Sequence, residues 1–280
     1  MKLATLRAEA RPGSSTVAVR IDGDAAVEID GFTDVGALLA TEGWRDTAAA
    51  ASGASHALAD IEPQRWAPVV PKPGKIVCVG LNYGTHITEM GRELPVHPTL
   101  FAKFPEALIG PFDDVEMPAI SNEVDWEAEL AVIIGAPARR VTEGEATAHI
   151  AGYAVLNDVT MRDYQYRTLQ WLQGKTFENT TPFGPYLVTT DEWQLGPDMR
   201  CIVDGDTVQD TTTADLVFTP EKLVSYISDI VTLNAGDVIA TGTTGGVGHA
   251  RKPARYLKDG SILETEIDGL GAQRNLAKSV

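Results

Sequence analysis

Glu127 and Glu129 stand two residues apart in the run Asp125-Trp126-Glu127-Ala128-Glu129-Leu130-Ala131-Val132-Ile133-Ile134-Gly135. Strand side chains alternate between faces, so both glutamates point the same way, with Ala131 and Ile133, while Ala128, Leu130, Val132 and Ile134 take the other face. Two ionised carboxylates side by side in a partly apolar setting repel each other, and one takes a proton unless a cation sits between them. The bland alternative is an exposed strand end with both glutamates solvated. A third carboxylate favours the cation: Asp158 ends the strand-like run Ala154-Val155-Leu156-Asn157, where an apolar strand gives way to a loop. Three hard oxygen donors with no His or Cys cluster nearby select Mg²⁺, Mn²⁺ or Ca²⁺ over zinc.

His86 and Glu89 lie three apart on a segment of helical spacing, where two side chains meet on one face. A Glu beside a His orients the ring and raises its basicity, which suits a general base acting on water. His56, His97, His149 and His249 have no such partner and read as structural. Lys103 and Lys175 are candidate cations for an anionic substrate or transition state, although composition alone leaves each as a solvated surface lysine. The loop Gly242-Thr243-Thr244-Gly245-Gly246-Val247-Gly248 lacks the Lys-Ser/Thr ending of a phosphate loop and the βαβ setting of a dinucleotide site. Cys78, in the apolar run Lys75–Val79, reads as a buried structural thiol.

The elements that must hold these residues are many short strands and few helices. Strand-like runs include Ile76 to Gly80, Thr99 to Phe104, Trp126 to Ile134, Gly152 to Asn157, Asp237 to Thr241 and Ser261 to Ile267, with a hairpin turn at Asp204-Gly205. Thr219-Pro220-Glu221 opens a helix running to about Ile230. The elements do not alternate as in a doubly wound sheet. They predict a β-rich α+β domain on a mixed, rolled or barrel-like sheet, residues 69–280, preceded by a small α+β module, residues 1–68. In that module Asp34 to Thr41 and the Ala-rich stretch Asp46 to Asp60 read as helices. Pro63 through Pro73 reads as a linker or crossing segment.

The 280 residues are 44% hydrophobic and 22% charged, an ordinary globular composition. The net charge of −16 argues against nucleic acid or an anionic membrane as partner, since both need a positive footprint. It also means that an anionic substrate needs a local reversal of the field, which a bound cation supplies. No apolar run approaches the ~20 residues that span a bilayer, and Met1 to Ala10 lacks the apolar stretch of a secretory signal. A soluble cytoplasmic protein is the expectation.

Several motifs in order resemble the fumarylacetoacetate hydrolase family. They are Val79-Gly80-Leu81-Asn82-Tyr83 with His86; Asn157-Asp158-Val159-Thr160 with Arg162-Asp163; Gln170-Trp171 and Gly174-Lys175; and Gly236-Asp237-Val238-Ile239 with Thr241-Gly242-Thr243 and Gly246-Val247-Gly248. The resemblance runs from about Pro68 to the C-terminus. It implies a metal held by Glu127, Glu129 and Asp158, a lid carrying His86 and Glu89, catalytic or substrate-binding Lys103 and Lys175, and substrate contacts at Arg162, Gln165 and Thr243. The family commonly has proline where this chain has Thr244, a departure that bears on the loop near Thr243 and on substrate selectivity.

The expected reaction is metal-dependent C–C hydrolysis of an acylpyruvate, such as fumarylpyruvate or acetylpyruvate, to pyruvate and a carboxylic acid. His86 takes a proton from water, the hydroxide attacks the distal carbonyl, and Lys175 stabilises the oxyanion. The same chemistry supports oxaloacetate decarboxylation or 2-hydroxyhepta-2,4-diene-1,7-dioate isomerisation in aromatic catabolism, and these are the alternatives. A non-catalytic metal-dependent oxo-acid binding protein is a more distant one. The resemblance also implies a homodimer.

Overall fold

The structure is a computed structural model; it describes every residue except Met90 and Arg92, and the side chains of His86 and Glu89 also lie outside the described residues. Ten strands make one sheet in the order Ser55–Ala57, Ala25–Glu28, Thr16–Asp22, Lys2–Arg7, Leu187–Thr189, Ile150–Asn157, Ala128–Ile134, Val238–Thr243, Ile76–Gly80 and Thr99–Lys103. Five more pair as Asp206–Thr212, Asp198–Val203, Ile262–Ile267, Gly271–Ser279 and Val115–Met117. Most pairs are antiparallel, but Val238–Thr243 runs parallel to Ile76–Gly80, and Gly271–Ser279 parallel to Val115–Met117. This is the mixed, strand-rich α+β fold expected, and its sheets are open at the edges.

The acidic strand shows the predicted alternation. Ala128, Leu130, Val132 and Ile134 enter one hydrophobic core, and Ala131 and Ile133 enter another on the opposite face. Both faces are covered, which is why the strand reads as a near-continuous apolar run. The helix Pro220–Ile230 starts as the sequence predicts: the Thr219 side chain accepts from Lys222 N, Pro220 occupies the first turn, and Leu223, Val224 and Ile227 are buried. The Asp204-Gly205 turn has φ of 55° and 84°, as a two-residue hairpin of this hand requires.

Asp46 to Asp60 does not form one helix. The helix is Trp44–Ala49, and Ser55–Ala57 adds to the sheet edge beside Ala25–Glu28. Gly53 N donates to Glu28 O at 3.2 Å, and pairing with that strand overrides the helical preference of the alanines. Lys2–Arg7 pairs with Leu187–Thr189, so the hydrogen-bonded sheet is continuous between the first residues and the rest of the chain. Among the described residues no helix is long and apolar enough to cross a membrane.

Candidate active site

The antiparallel pairing of Ala128–Ile134 with Ile150–Asn157 sets Ala128 opposite Asn157. That register places Glu127 beside Asp158, and Asp158 N donates to Glu127 O at 2.8 Å. On the other flank Glu129 pairs with Thr243, and Gly242 N donates to Glu129 Oε2 at 2.9 Å. Glu127, Glu129 and Asp158 are 7%, 1% and 0% exposed, so the solvated alternative does not hold. One carboxylate oxygen from each lies within 4.8 Å of the others. Burial, and then the charges of Asp158 and Glu127, push Glu129 well above the usual carboxylate range. Burial works in the same direction on Asp158, but the adjacent Lys103 and Lys175 outweigh it and hold that carboxyl below the usual range.

Both lysines are buried at 2% exposure, contrary to the surface positions that composition suggests. Lys175 ends the short helix Leu172–Lys175, and its Nζ reaches Glu127 Oε2 at 2.5 Å and Asp158 Oδ2 at 2.9 Å. Burial alone would lower its pKa; the charges of Asp158 and Glu127 reverse this, so the ammonium is kept. Lys103, at the end of the edge strand, donates to Thr181 Oγ1 at 2.6 Å and stands 2.8 Å from Asp158 Oδ1. Asp158 Oδ1 is a buried carboxylate oxygen with that ammonium beside it. An acceptor of this kind, within reach of two more carboxylates, suits a hard divalent cation, and the three residues fit one.

Arg162 adds the third cation. Its Nη1 meets Glu127 Oε1 at 2.7 Å and Gln165 Oε1 at 2.9 Å, and its Nε meets Asp125 Oδ2 at 2.8 Å. Glu127, Arg162, Gln165, Lys175 and Thr243 line one cavity of about 320 Å³, together with Phe101, Tyr166, Trp171, Val247, His249 and Ala250. Thr243 Oγ1 donates to Ala128 O and accepts from Gln209 Nε2, both at 2.8 Å, which leaves it one lone pair for a ligand. His86 and Glu89 belong to the helix Gly84–Glu89, but the contact expected between their side chains lies outside the described residues.

Sequence reasoning missed two features. His249 lines the cavity, where its ring lies 5.0 Å from Tyr166 and Nδ1 lies 3.0 Å from the Tyr256 hydroxyl. No local signal distinguishes it, because Tyr166 is distant in sequence. Asp125 is fully buried beside the triad. A carboxylate two residues before Glu127, flanked by Val124 and Trp126, was the available signal.

The chain is similar to several known proteins. The mitochondrial oxaloacetate tautomerase of Xenopus laevis is 44% identical over 226 residues, which cover 79% of this chain and 70% of that protein. A fumarylacetoacetate hydrolase from Exiguobacterium antarcticum superposes with a TM-score of 0.87 at 31% identity, covering 100% of both chains. A 5-carboxymethyl-2-hydroxymuconate delta-isomerase from Mycobacterium smegmatis superposes at 0.80 with 31% identity, covering 100% of this chain and 99% of that one. Tautomerase and isomerase names favour the alternative reading of the sequence over acylpyruvate hydrolysis. Residues 75–277, which hold every candidate site residue, match the fumarylacetoacetate (FAA) hydrolase C-terminal family, and this enzyme belongs to it.

Proposed function

We propose that the enzyme moves a proton on the carbon beside the 2-oxo group of a small dianionic oxo acid, interconverting the enol and keto forms of an oxaloacetate-type substrate. The observation that carries this reading is the set of three buried carboxylates meshed with Lys103, Lys175 and Arg162 beside a cavity of about 320 Å³. That volume is at the small end for ligand pockets and suits a short diacid better than an extended one. Glu127, Glu129 and Asp158 would hold Mg²⁺ or Mn²⁺. When bound, such an ion supplies Lewis-acid polarisation to a 2-oxo acid.

The chain's own residues supply the rest. Lys175 and Arg162 are already fixed by Glu127, so they orient an anionic substrate with little side-chain ordering left to do. Arg162 offers its Nη2, which has no protein partner, to a carboxylate. Phe101 and Trp171, with ring centroids 5.3 Å apart, give the cavity an apolar wall that limits water. His86 is the group that would take and return the proton, with Glu89 as its partner in the sequence. This reaction needs no attack by water, which separates it from acylpyruvate cleavage.

The test follows loss of enol absorbance from oxaloacetate with Mg²⁺ and with EDTA, beside pyruvate release from acetylpyruvate and fumarylpyruvate. Metal-dependent acceleration of enol loss is expected. Cleavage of the acylpyruvates without it would make the enzyme a hydrolase. Tight oxo-acid binding with no turnover would leave a binding protein. The family resemblance further supports a homodimer, which light scattering at the mass of one chain would contradict.

A further inference from the structure

Asp125 is fully buried, and both of its oxygens accept twice. Oδ1 accepts from Trp126 N at 2.8 Å and Gly248 N at 2.7 Å; Oδ2 accepts from Arg162 Nε at 2.8 Å and His249 N at 2.9 Å. Four donors saturate an ionised carboxylate. They also come from three separate places: the link between the strands Val124–Asp125 and Ala128–Ile134, the start of the short helix Arg162–Gln165, and the segment that forms one side of the cavity. Gly248 lies so close that a Cβ there would stand 2.8 Å from Oδ1. Arg162 then carries the connection on to Glu127 through Nη1, while its buried Nη2 has no protein partner.

We infer that Asp125 is a positioning residue for substrate: it aims the Arg162 guanidinium at the cavity and pins the backbone of 248 and 249, which holds Val247, His249 and Ala250 in that cavity's wall. This rests on the oxo-acid reading above, in which Arg162 meets the anionic substrate. The charge matters as well as the shape. An amide at position 125 turns one acceptor into a donor, and that donor must then face either Arg162 and His249 or Trp126 and Gly248. Either choice sets donor against donor in a buried site. Asp125 touches no substrate atom; it acts through Arg162 and the backbone of 248–249.

The experiment is a double-mutant cycle of Asp125→Asn and Arg162→Met, read on oxaloacetate enol turnover and on calorimetric affinity for oxalate, a small dianion, with Mg²⁺ present. Asp125→Asn should lower kcat/KM by about 10–100-fold, the usual worth of a supporting hydrogen bond to a site residue, with most of it in KM. In the Arg162→Met background it should cost almost nothing further, because the group it positions is gone. Additive losses would overturn the inference and leave Asp125 as a general structural residue. If wild-type protein turns over no oxaloacetate while the oxalate cycle still couples, the proposed reaction fails and the positioning role stands. Crystals of Asp125→Asn check the geometry without any ligand: Arg162 withdrawn from Glu127 or residues 248–250 displaced supports the role, and both in place overturns it. Should Asp125→Asn not fold, Asp125→Glu, which keeps the charge and shifts it by one methylene, takes its place in the cycle.

Discussion

Gly242 donates its backbone N–H to Glu129 Oε2 at 2.9 Å, a hydrogen bond to the carboxylate of the site that burial pushes well above the usual range. One donor does not offset burial together with the charges of Asp158 and Glu127. A divalent ion would relieve all three. Glu129→Gln keeps the shape and the acceptor for Gly242 and removes the charge. Its Mg²⁺ affinity should fall by more than the ~10–100-fold that a lost supporting bond costs a metal site. In EDTA the same variant should melt at or above the wild-type temperature, since a buried like charge is gone. Unchanged Mg²⁺ affinity by calorimetry would place the metal elsewhere.

The conformation of Gly242 explains why that bond exists. Its φ is 96°, and a Cβ there would stand 2.7 Å from Val79 O. Gly242→Ala is therefore strained by roughly 1–3 kcal/mol, and it should loosen Glu129 as it does so. Denaturant melts should show the loss, and Mg²⁺ affinity should fall with it. A variant as stable as wild type and equally avid for Mg²⁺ would show that the backbone adapts without disturbing Glu129.

Lys175→Met removes the ammonium shared by Glu127 and Asp158 and keeps much of the stem. Breaking a buried pair on one side typically costs about 3–5 kcal/mol, because the remaining charges are left uncompensated. The pH dependence has a definite sign. Asp158 has a depressed pKa in the folded protein, so the stability it contributes is present above its unfolded value and is lost as pH falls. In the variant the unpaired carboxylates take up protons more readily. Both effects make the stability gap in EDTA widest near neutral pH and narrower toward pH 4. A gap that widens on acidification would contradict the ion-pair geometry. Turnover should be lost at every pH.

The clustering of Glu127, Glu129 and Asp158 was legible because its signal is local. A continuous strand would set Glu127 and Glu129 on one face; the strand in fact starts at Ala128, just after Glu127, yet the two stay together, and Asp158 follows the end of an apolar strand. The burial of Lys103 and Lys175 was not, because Lys175 meets Glu127 across 48 positions and Lys103 meets Thr181 across 78. Nothing near either lysine in sequence foretells those partners. The strand Gly271–Ser279 escaped for a different reason. Its inward residues are Gln273, Asn275 and Ala277, so the usual apolar alternation is missing. Gln273 instead donates to the carbonyls of Val155 and Gly184, and Asn275 to that of Asp113. A polar face satisfied by backbone acceptors has no hydrophobic period to read.

The dyad separates the competing reactions most sharply. His86 and Glu89 sit on the helix Gly84–Glu89, whose start is tied down by Thr85 N and Oγ1 donating to Asp215. If His86 shuttles the proton beside the 2-oxo group, His86→Ala should slow enol–keto exchange by roughly 10²–10⁴-fold, the usual worth of a positioned base. Glu89→Gln should do the same less severely, since the ring remains but is less basic. Mg²⁺ affinity should survive both changes, because neither residue is among the three proposed ligands. The direct measurement is deuterium uptake at the carbon beside the 2-oxo group in D₂O, followed by NMR with wild-type and variant protein. Wild type should catalyse uptake that His86→Ala does not. Uptake at wild-type rate in His86→Ala, with acylpyruvate cleavage abolished, would assign His86 to the activation of water and return the enzyme to the hydrolases.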